Sequence, residues 1–428
     1  MSTNKTYRVI IAGGGTGGHI FPAIAIAGAL KAAAPGMELL FVGAKGKMEM
    51  EKVPQAGYSI EGIDIAGFNR SSLIKNIGLP IKLVRSFIQV NGILKRFRPD
   101  AVVGVGGYSS FPVLRAAQAK GIPTFIHESN SFAGKSNQLL GKKATEIFVA
   151  SDGMSQFFPA DRILVTGNPV RKNIVGSRPS REEAVRQFGL DPSKPVVFVT
   201  GGSLGAKGIN EAIAAGLHAF VAAGVQVIWQ TGKPFAETAV AAVKALKGAA
   251  GTETGAGISG VGPAVTGAGE GYAVAGTRGV PTVSGTGGVP AVTGAGEGAV
   301  VAGTVNAGIW TGPFITKMEE AFAAADVVVS RSGAMSIAEL CVVGKPVVFV
   351  PFPFAAEDHQ TVNAKHLVDK GAGLMVKDSE AREKLVSTAI SLLKDEGMRA
   401  RLAEAIRGLA VTNADEVIAG EILKKLNG

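Results

Sequence analysis

Short runs of apolar, mostly β-branched residues recur along the chain, and most are followed by stretches whose apolar positions keep a helical period. In the first part the runs are YRVIIA, MELLFVG, AVVGVGG, TFIHES and EIFVA, with a helix expected from about Phe21. A second series reads PVVFVTGG, VQVIWQTG, IWTGPF, DVVVSRSG, PVVFVP and GAGLMV. Uniformly apolar strands alternating with helices predict an α/β protein with parallel, doubly wound sheets covered on both faces. The stretch GNPVRKNIVGSRPSREEAVRQFGLDPSKP separates the two series as a linker with a short helix. We therefore expect two Rossmann-like domains, residues 1–165 and 166–410, with a last helix at about 411–428 packing back on the first. Such sheets bind ligands at the carboxyl ends of their strands, so two of them imply a cleft between domains.

One segment breaks the pattern. Of the 59 glycines, 18 fall in residues 249–308, which hold only four charged residues (Glu253, Glu270, Arg278 and Glu297) and no Leu, Phe or Met. VGPAVTGAGEGYAVAGT, Val261 to Thr277, returns as GVPAVTGAGEGAVVAGT, Gly288 to Thr304, over a nine-residue period marked by Val265, Val274, Val283, Val292 and Val301. A calcium-binding roll needs aspartates at fixed positions, and this segment has none. It reads as a low-complexity insertion within the second domain, with too little large apolar surface to offset ordering entropy, and we assign it no chemistry.

Composition narrows the class. With 46% apolar and 18% charged residues the chain is not a disordered protein. Its single cysteine, Cys341, excludes a disulfide framework and a thiolate metal site and suits a reducing cytoplasm. The start, MSTNKTYRVIIAGGG, lacks the layout of a signal peptide, and no apolar stretch reaches the ~18–20 residues of a spanning helix, so no membrane crossing is expected.

Three glycine-bearing turns follow strands. Gly13 to Gly18 satisfies G-x-G-x-x-G, but MELLFVG ends in Gly43, Ala44 and Lys45 where a dinucleotide site wants an acid to hold the ribose. Gly201-Gly202-Ser203-Leu204-Gly205 and Ser330-Arg331-Ser332-Gly333-Ala334-Met335-Ser336 are the other two. Amides at the start of the helix after Gly333 suit a diphosphate, and Glu339 one turn on suits ribose hydroxyls. Together the turns favour a nucleotide carrying a diphosphate. No D-x-D or Cys/His cluster occurs, so neither a metal nor another cofactor is expected. Three of the five histidines, His19, His127 and His359, stand at expected strand ends. Neutral at pH 7 by its ordinary pKa of ~6.5, His19 suits a base for a sugar hydroxyl, with Glu128 as competitor.

Residues 67–98 carry seven Lys/Arg and no acid, and Leu83, Phe87, Val90, Leu94 and Phe97 recur at helical spacing. Part of that stripe must be core. The acid-free basic character suits an anionic membrane surface, with Ile74, Lys75, Leu79, Lys82 and Arg85 at the contact. Nucleic acid is not expected as the partner, because aromatics are 6% of the chain and no recognised module is present.

AGGGTGGHIFPAIAIA, VGVGGYSSFP, HESNSFAGKSN, VTGNPVR, GGSLGAKGIN, SRSGAMSIAEL and VPFPFAAEDHQTVNA, in this order, resemble the MurG family of peptidoglycan glycosyltransferases. The resemblance spans the chain apart from 249–308. It implies a GT-B fold and an inverting, metal-independent transfer of N-acetylglucosamine from UDP-N-acetylglucosamine to lipid I, undecaprenyl-diphosphate-N-acetylmuramyl-pentapeptide, forming lipid II. It further implies a peripheral enzyme on the cytoplasmic face of the cell membrane, with cell-wall or division-machinery proteins as further partners. Carried over by motif, His19, Glu128 and His127 are the catalytic candidates. Thr16, Gly17, Gly18, Tyr108 and Asn130 would bind sugar or phosphate, and Arg171 and Ser203 the nucleotide side. Ile315 would meet the uracil, Ala334, Met335, Ser336, Ile337, Ala338 and Glu339 the diphosphate and ribose, and Gln360 the sugar hydroxyls. The alternatives are another GT-B enzyme, such as a diacylglycerol glycosyltransferase or a UDP-sugar epimerase, and a nucleotide-binding protein inactivated by the insertion.

Overall fold

The structure is a computed structural model that describes residues 6–67, 78–176, 179–202, 204–249, 303–355 and 358–427. Most of the repeat, 250–302, therefore lies outside the described residues. In the first half the elements run β1 (Arg8–Ala12), α1 (Gly17–Ala33), β2 (Glu38–Ala44), α2 (Glu49–Gln55), β3 (Ile60–Ile63), α3 (Leu79–Phe97), β4 (Ala101–Gly104), α4 (Ser110–Ala119), β5 (Thr124–Glu128), α5 (Lys135–Gly141), β6 (Glu146–Val149) and β7 (Ile163–Val165). The linker carries α6 (Lys172–Gly176) and α7 (Arg181–Gln187). There follow β8 (Val196–Thr200), α8 (Lys207–Ala222), β9 (Gln226–Gln230), α9 (Ala236–Ala249), β10 (Thr304–Asn306), β11 (Ile309–Gly312), α10 (Met318–Ala324), β12 (Val327–Ser330), α11 (Ala334–Val343), β13 (Val347–Phe349), α12 (His359–Asp369), β14 (Leu374–Met375), α13 (Ala381–Lys394), α14 (Glu396–Arg407) and α15 (Ala414–Asn427).

The strands form two seven-stranded sheets, ordered β3-β2-β1-β4-β5-β6-β7 and β10-β11-β9-β8-β12-β13-β14. Every pairing is parallel except the β10–β11 hairpin. The apolar runs are explained by burial on both faces: Val9, Ile11, Val103 and Phe125 pack under α1, while Ile10, Val102 and Ile126 pack on the opposite side with α3 and α4. The second sheet is covered in the same way, with Trp229 in one layer and Trp310 in the other.

Two departures from the sequence pattern matter. Residues 303–308, grouped by composition with the repeat, include β10, whose Val305 pairs with Trp310, and Asn306 Nδ2 donates to the Val243 carbonyl of α9 at 2.7 Å. The two sides of the repeat thus meet in one part of the fold. Helix α1 begins at Gly17 rather than near Phe21, which puts His19 in its first turn. The last helix, α15, lies against the first sheet, with Ile418, Ala419 and Ile422 in the core that holds α1. Tyr7 Oη anchors its end by donating to Asn427 Oδ1 at 2.6 Å.

In each sheet the strand order reverses between the first strand and its later neighbour, β1/β4 and β8/β12. The loops that leave those strands, 13–16 with 105–109 and 201–206 with 331–333, are where a ligand crevice is expected.

Candidate functional site

The loop after β1 is held by three main-chain donors. Gly13 N–H donates to Val42 O at 3.2 Å, Gly14 N–H to Gly106 O at 3.3 Å, and Gly15 N–H to the Glu49 carboxylate at 2.8 Å. Gly107 at φ +83 packs so closely on Gly14 that a Cβ there would strike the Gly14 carbonyl, so the two loops need glycine to touch. Thr16 is the N-cap of α1 without a side-chain cap bond. Helix α7, remote from the crevice, has a full capping box between Ser180 and Glu183. The N–H groups of Gly17 and Gly18 meet no acceptor among the described residues, which leaves them open to an anion or a polar group.

His19 hangs from this first turn, half-buried, with Nδ1 3.2 Å from Gly14 O and 3.3 Å from Thr16 Oγ1. A carbonyl partner requires the proton on Nδ1, which leaves Nε2 as the acceptor nitrogen. Nε2 faces Gly106, where an added Cβ would stand only 2.8 Å away. Burial lowers the basicity of His19 below the ordinary histidine value, against the opposing pull of Glu128, the Gly14 carbonyl and Glu49.

Glu128 ends β5 and is buried. One carboxylate oxygen accepts from the N–H of Asn130 at 3.1 Å and from its Nδ2 at 3.2 Å. The other accepts from Gly134 N–H at 3.3 Å and Asn137 Nδ2 at 2.8 Å. Four donors occupy it, so the carboxylate shapes the 128–134 loop and lends its charge to His19. His127 beside it is 1% exposed, and burial pushes its imidazole down to about 4. Neither ring nitrogen meets a partner in hydrogen-bonding geometry, nor does Asn168 Oδ1, though the Gly167 carbonyl and Asn168 lie close enough to favour the charged ring. Tyr108, by contrast, is 59% exposed, with its ring against Gly67 at the rim.

Across the crevice, α11 starts at Gly333 with no side-chain cap, and the N–H groups of Ala334, Met335 and Ser336 meet no acceptor among the described residues. Ile337 N–H returns to Gly333 O, and Ala338 lies within the helix. Glu339 is forked by Arg171, with Nε to Oε1 at 2.6 Å and Nη2 to Oε2 at 2.8 Å, and the Arg171 guanidinium lies 4.9 Å from the Phe21 ring centroid on α1. Arg171 thus ties the linker to both halves of the molecule. Gln360 Oε1 accepts from Phe352 N–H at 3.0 Å, and its Nε2 points toward Gly333. Ile315 is fully buried in the core, and its N–H is taken by Gln230 Oε1 at 2.9 Å, so neither its side chain nor its amide is open to a ligand in this structure. Ser131 of the first half reaches Asn363 on α12 at 3.4 Å, a second bridge between the walls.

The sequence motifs therefore gather along one crevice. Ser203, Ile74 and Lys75 lie outside the described residues. Glu49, Gln230 and Asn363 were not singled out from sequence, and Arg331, which donates to Val350 O and Pro351 O and pairs with Asp378, was named only as part of its turn, without a role. Gln230 left a trace, a polar residue closing the apolar run VQVIWQ; buried Glu49 left none, since KMEMEK reads as a solvated face. Helix α3 turns Val90, Ile93 and Leu94 inward and leaves Ile81, Val84 and Ile88 at 62%, 60% and 67% exposure beside exposed Lys82 and Arg85, with Leu79 half-buried. No helix among the described residues is long and apolar enough to cross a membrane.

Two Rossmann-like sheets facing one crevice, each with a glycine-bearing loop and an open helix start at its switch point, are the architecture of the GT-B glycosyltransferases. Residues 9–149 match the glycosyltransferase family 28 N-terminal domain and residues 303–418 the glycosyltransferase family 28 C-terminal domain. A Bacteroides fragilis protein named UDP-N-acetylglucosamine–N-acetylmuramyl-(pentapeptide) pyrophosphoryl-undecaprenol N-acetylglucosamine transferase is 44% identical over 97% of this chain and 95% of its own length. The crystal structure of MurG from Acinetobacter baumannii superposes with a TM-score of 0.65 at 25% identity, covering 98% of this chain and 99% of that one. A UDP-N-acetylglucosamine 2-epimerase shares the fold, with a TM-score of 0.61 at 14% identity over 99% of this chain and 97% of its own. The chain belongs to the MurG family of glycosyltransferases.

Proposed function

We infer that the chain transfers N-acetylglucosamine from UDP-N-acetylglucosamine to the C4 hydroxyl of the muramyl residue of lipid I, releasing UDP and forming lipid II. The observation that carries the reading is the 44% identity, over nearly the whole of both chains, to a transferase named for this reaction. The likeness to an epimerase is one of fold alone at 14% identity.

In this reading the acceptor oxygen bonds to the anomeric carbon as the bond to the UDP oxygen breaks on the opposite face, inverting the configuration. His19 Nε2 takes the hydroxyl proton. Its lowered basicity keeps it unprotonated near pH 7, and the bond from Nδ1 to Gly14 O leaves Nε2, beside Gly106, as the nitrogen that can accept. Glu128, saturated by its own loop, steadies the imidazolium that forms, and His127 packs beneath as a neutral ring. The leaving diphosphate meets the open N–H groups of Ala334, Met335 and Ser336, which oppose its growing charge at a fixed helix start. Glu339, held by Arg171, keeps lone pairs for the ribose hydroxyls, while Gln360 and Asn130 line the sugar.

The first half, residues 1–165, would bind the acceptor and the second, 166–410, the donor. The exposed Ile81, Val84 and Ile88 with Lys82 and Arg85 support peripheral contact with an anionic membrane, where the lipid acceptor resides. Such contact on the cytoplasmic face would set the enzyme beside the cell-wall and division machinery. UDP release measured with and without a lipid I analogue tests the reading: release only with acceptor is expected, whereas release or epimerisation without acceptor selects the epimerase.

A further inference from the structure

We propose that Glu49 is a positioning residue for the transfer: its buried carboxylate clamps the glycine loop that carries His19. Glu49 is 1% exposed and opens α2. One oxygen accepts from Gly15 N–H at 2.8 Å and the other from Ala44 N–H at 2.9 Å, so a single carboxylate ties the loop after β1 to the end of β2. The surroundings are shaped to admit it, since a Cβ added to Gly14 or to Gly43 would run into the Glu49 side chain.

The clamp matters because three consecutive glycines have no side chains with which to fix their own conformation. Gly13 and Gly14 are held by main-chain carbonyls, and Gly15, at φ +89, is held by Glu49. The next residue, Thr16, starts α1, and the Gly14 carbonyl is the partner that orients the His19 ring. A shift of the Gly14–Gly15 segment therefore moves both the ring's orienting acceptor and the helix turn from which the ring hangs. The Glu49 charge also reaches His19, where it works against the loss of basicity that burial causes.

The inference rests on His19 acting as the base, and the test separates the two. Glu49→Gln and Glu49→Asp would be made in the full chain, with UDP binding measured by calorimetry to certify the donor half. Glutamine removes the charge and one acceptor; aspartate keeps the charge but is one methylene too short to reach both amides. We expect kcat with a lipid I analogue to fall about tenfold or more in both variants, as misplaced catalytic groups do, with UDP affinity within about twofold of wild type. The His19 ring resonance, assigned among the five histidines with His19→Gln, should titrate at lower pH in Glu49→Gln and close to wild type in Glu49→Asp. Activity per folded molecule within about twofold of wild type in both variants, or a His19 titration unmoved in Glu49→Gln, overturns the proposal. If the wild-type pH–rate limb does not follow the His19 titration, the base assignment fails while the kcat loss still reports the clamp.

Discussion

Replacing Arg171 with alanine would strip the partner from a carboxylate that the fold has taken out of water. The side chains of Arg171 and Glu339 are 19% and 10% exposed, and two charge-assisted bonds of 2.6 and 2.8 Å join them. Two unit charges about 4 Å apart at an effective dielectric near 20 attract by about 4 kcal/mol, much of it offset by desolvation. Arg171→Ala leaves Glu339 buried and alone, which costs about 3–5 kcal/mol. Glu339→Ala costs less, about 2–3 kcal/mol, because Arg171 keeps its stacking on Phe21 and can turn toward water. The double variant removes both charges, so its cost should fall short of the sum by roughly 2 kcal/mol. Both tryptophans, Trp229 and Trp310, belong to the second sheet, so urea unfolding followed by tryptophan emission reads the half that holds Glu339. The KM for UDP-N-acetylglucosamine should rise in Arg171→Ala by more than kcat falls. A coupling energy below about 0.5 kcal/mol would refute the reasoning, since it would make the fork a contact of no consequence.

Glu128→Gln discriminates anchor from base. An anchor loses one acceptor, lowering stability by about 1–3 kcal/mol with kcat down less than tenfold, whereas loss of a general base lowers kcat by about 10²–10⁴ without destabilising the fold. Acid should weaken the first half through His127. Its pKa falls from 6.5 to about 4 on folding, so the unfolded chain binds more protons between those values, and about 3 kcal/mol is lost as pH falls through that window. Calorimetry of His127→Gln should show a flatter decline over the same range, and an equally steep one would remove His127 as its cause. Changing Ile81, Val84 and Ile88 to serine with Lys82 and Arg85 to glutamate should abolish co-sedimentation with phosphatidylglycerol vesicles while UDP binding stays unchanged. Undiminished sedimentation would remove α3 from the membrane contact.

The two sheets were legible because parallel strands buried on both faces cannot hide their apolar runs, from RVIIA to VVVS. The strands that escaped notice are sheet edges: β3 is half-exposed and carries Glu61, β7 is only three residues long, and β10 is spelled in the same Thr and Val as the repeat beside it. The glycine turns were equally visible, since a strand that ends in glycine and enters a helix leaves few conformational choices. Long-range pairings escaped. Glu49 meets Gly15 across 34 residues and Arg171 meets Glu339 across 168, and no local periodicity encodes either. Sequence also left Glu128 and His19 as rival bases. The two differ in their partners, since four donors fill the Glu128 carboxylate while Nε2 of His19 meets none among the described residues, and our proposal of His19 as the base rests on that difference.

The most direct measurement is transfer of labelled sugar from UDP-N-acetylglucosamine into a lipid-extractable product by the purified full chain, with and without lipid I, and the new linkage read by NMR. We expect label in the lipid phase only when lipid I is present, one UDP released per sugar transferred, and a β-1,4-linked disaccharide. Label lost from the donor without acceptor, or a product with an α linkage, would contradict an inverting transfer to lipid I.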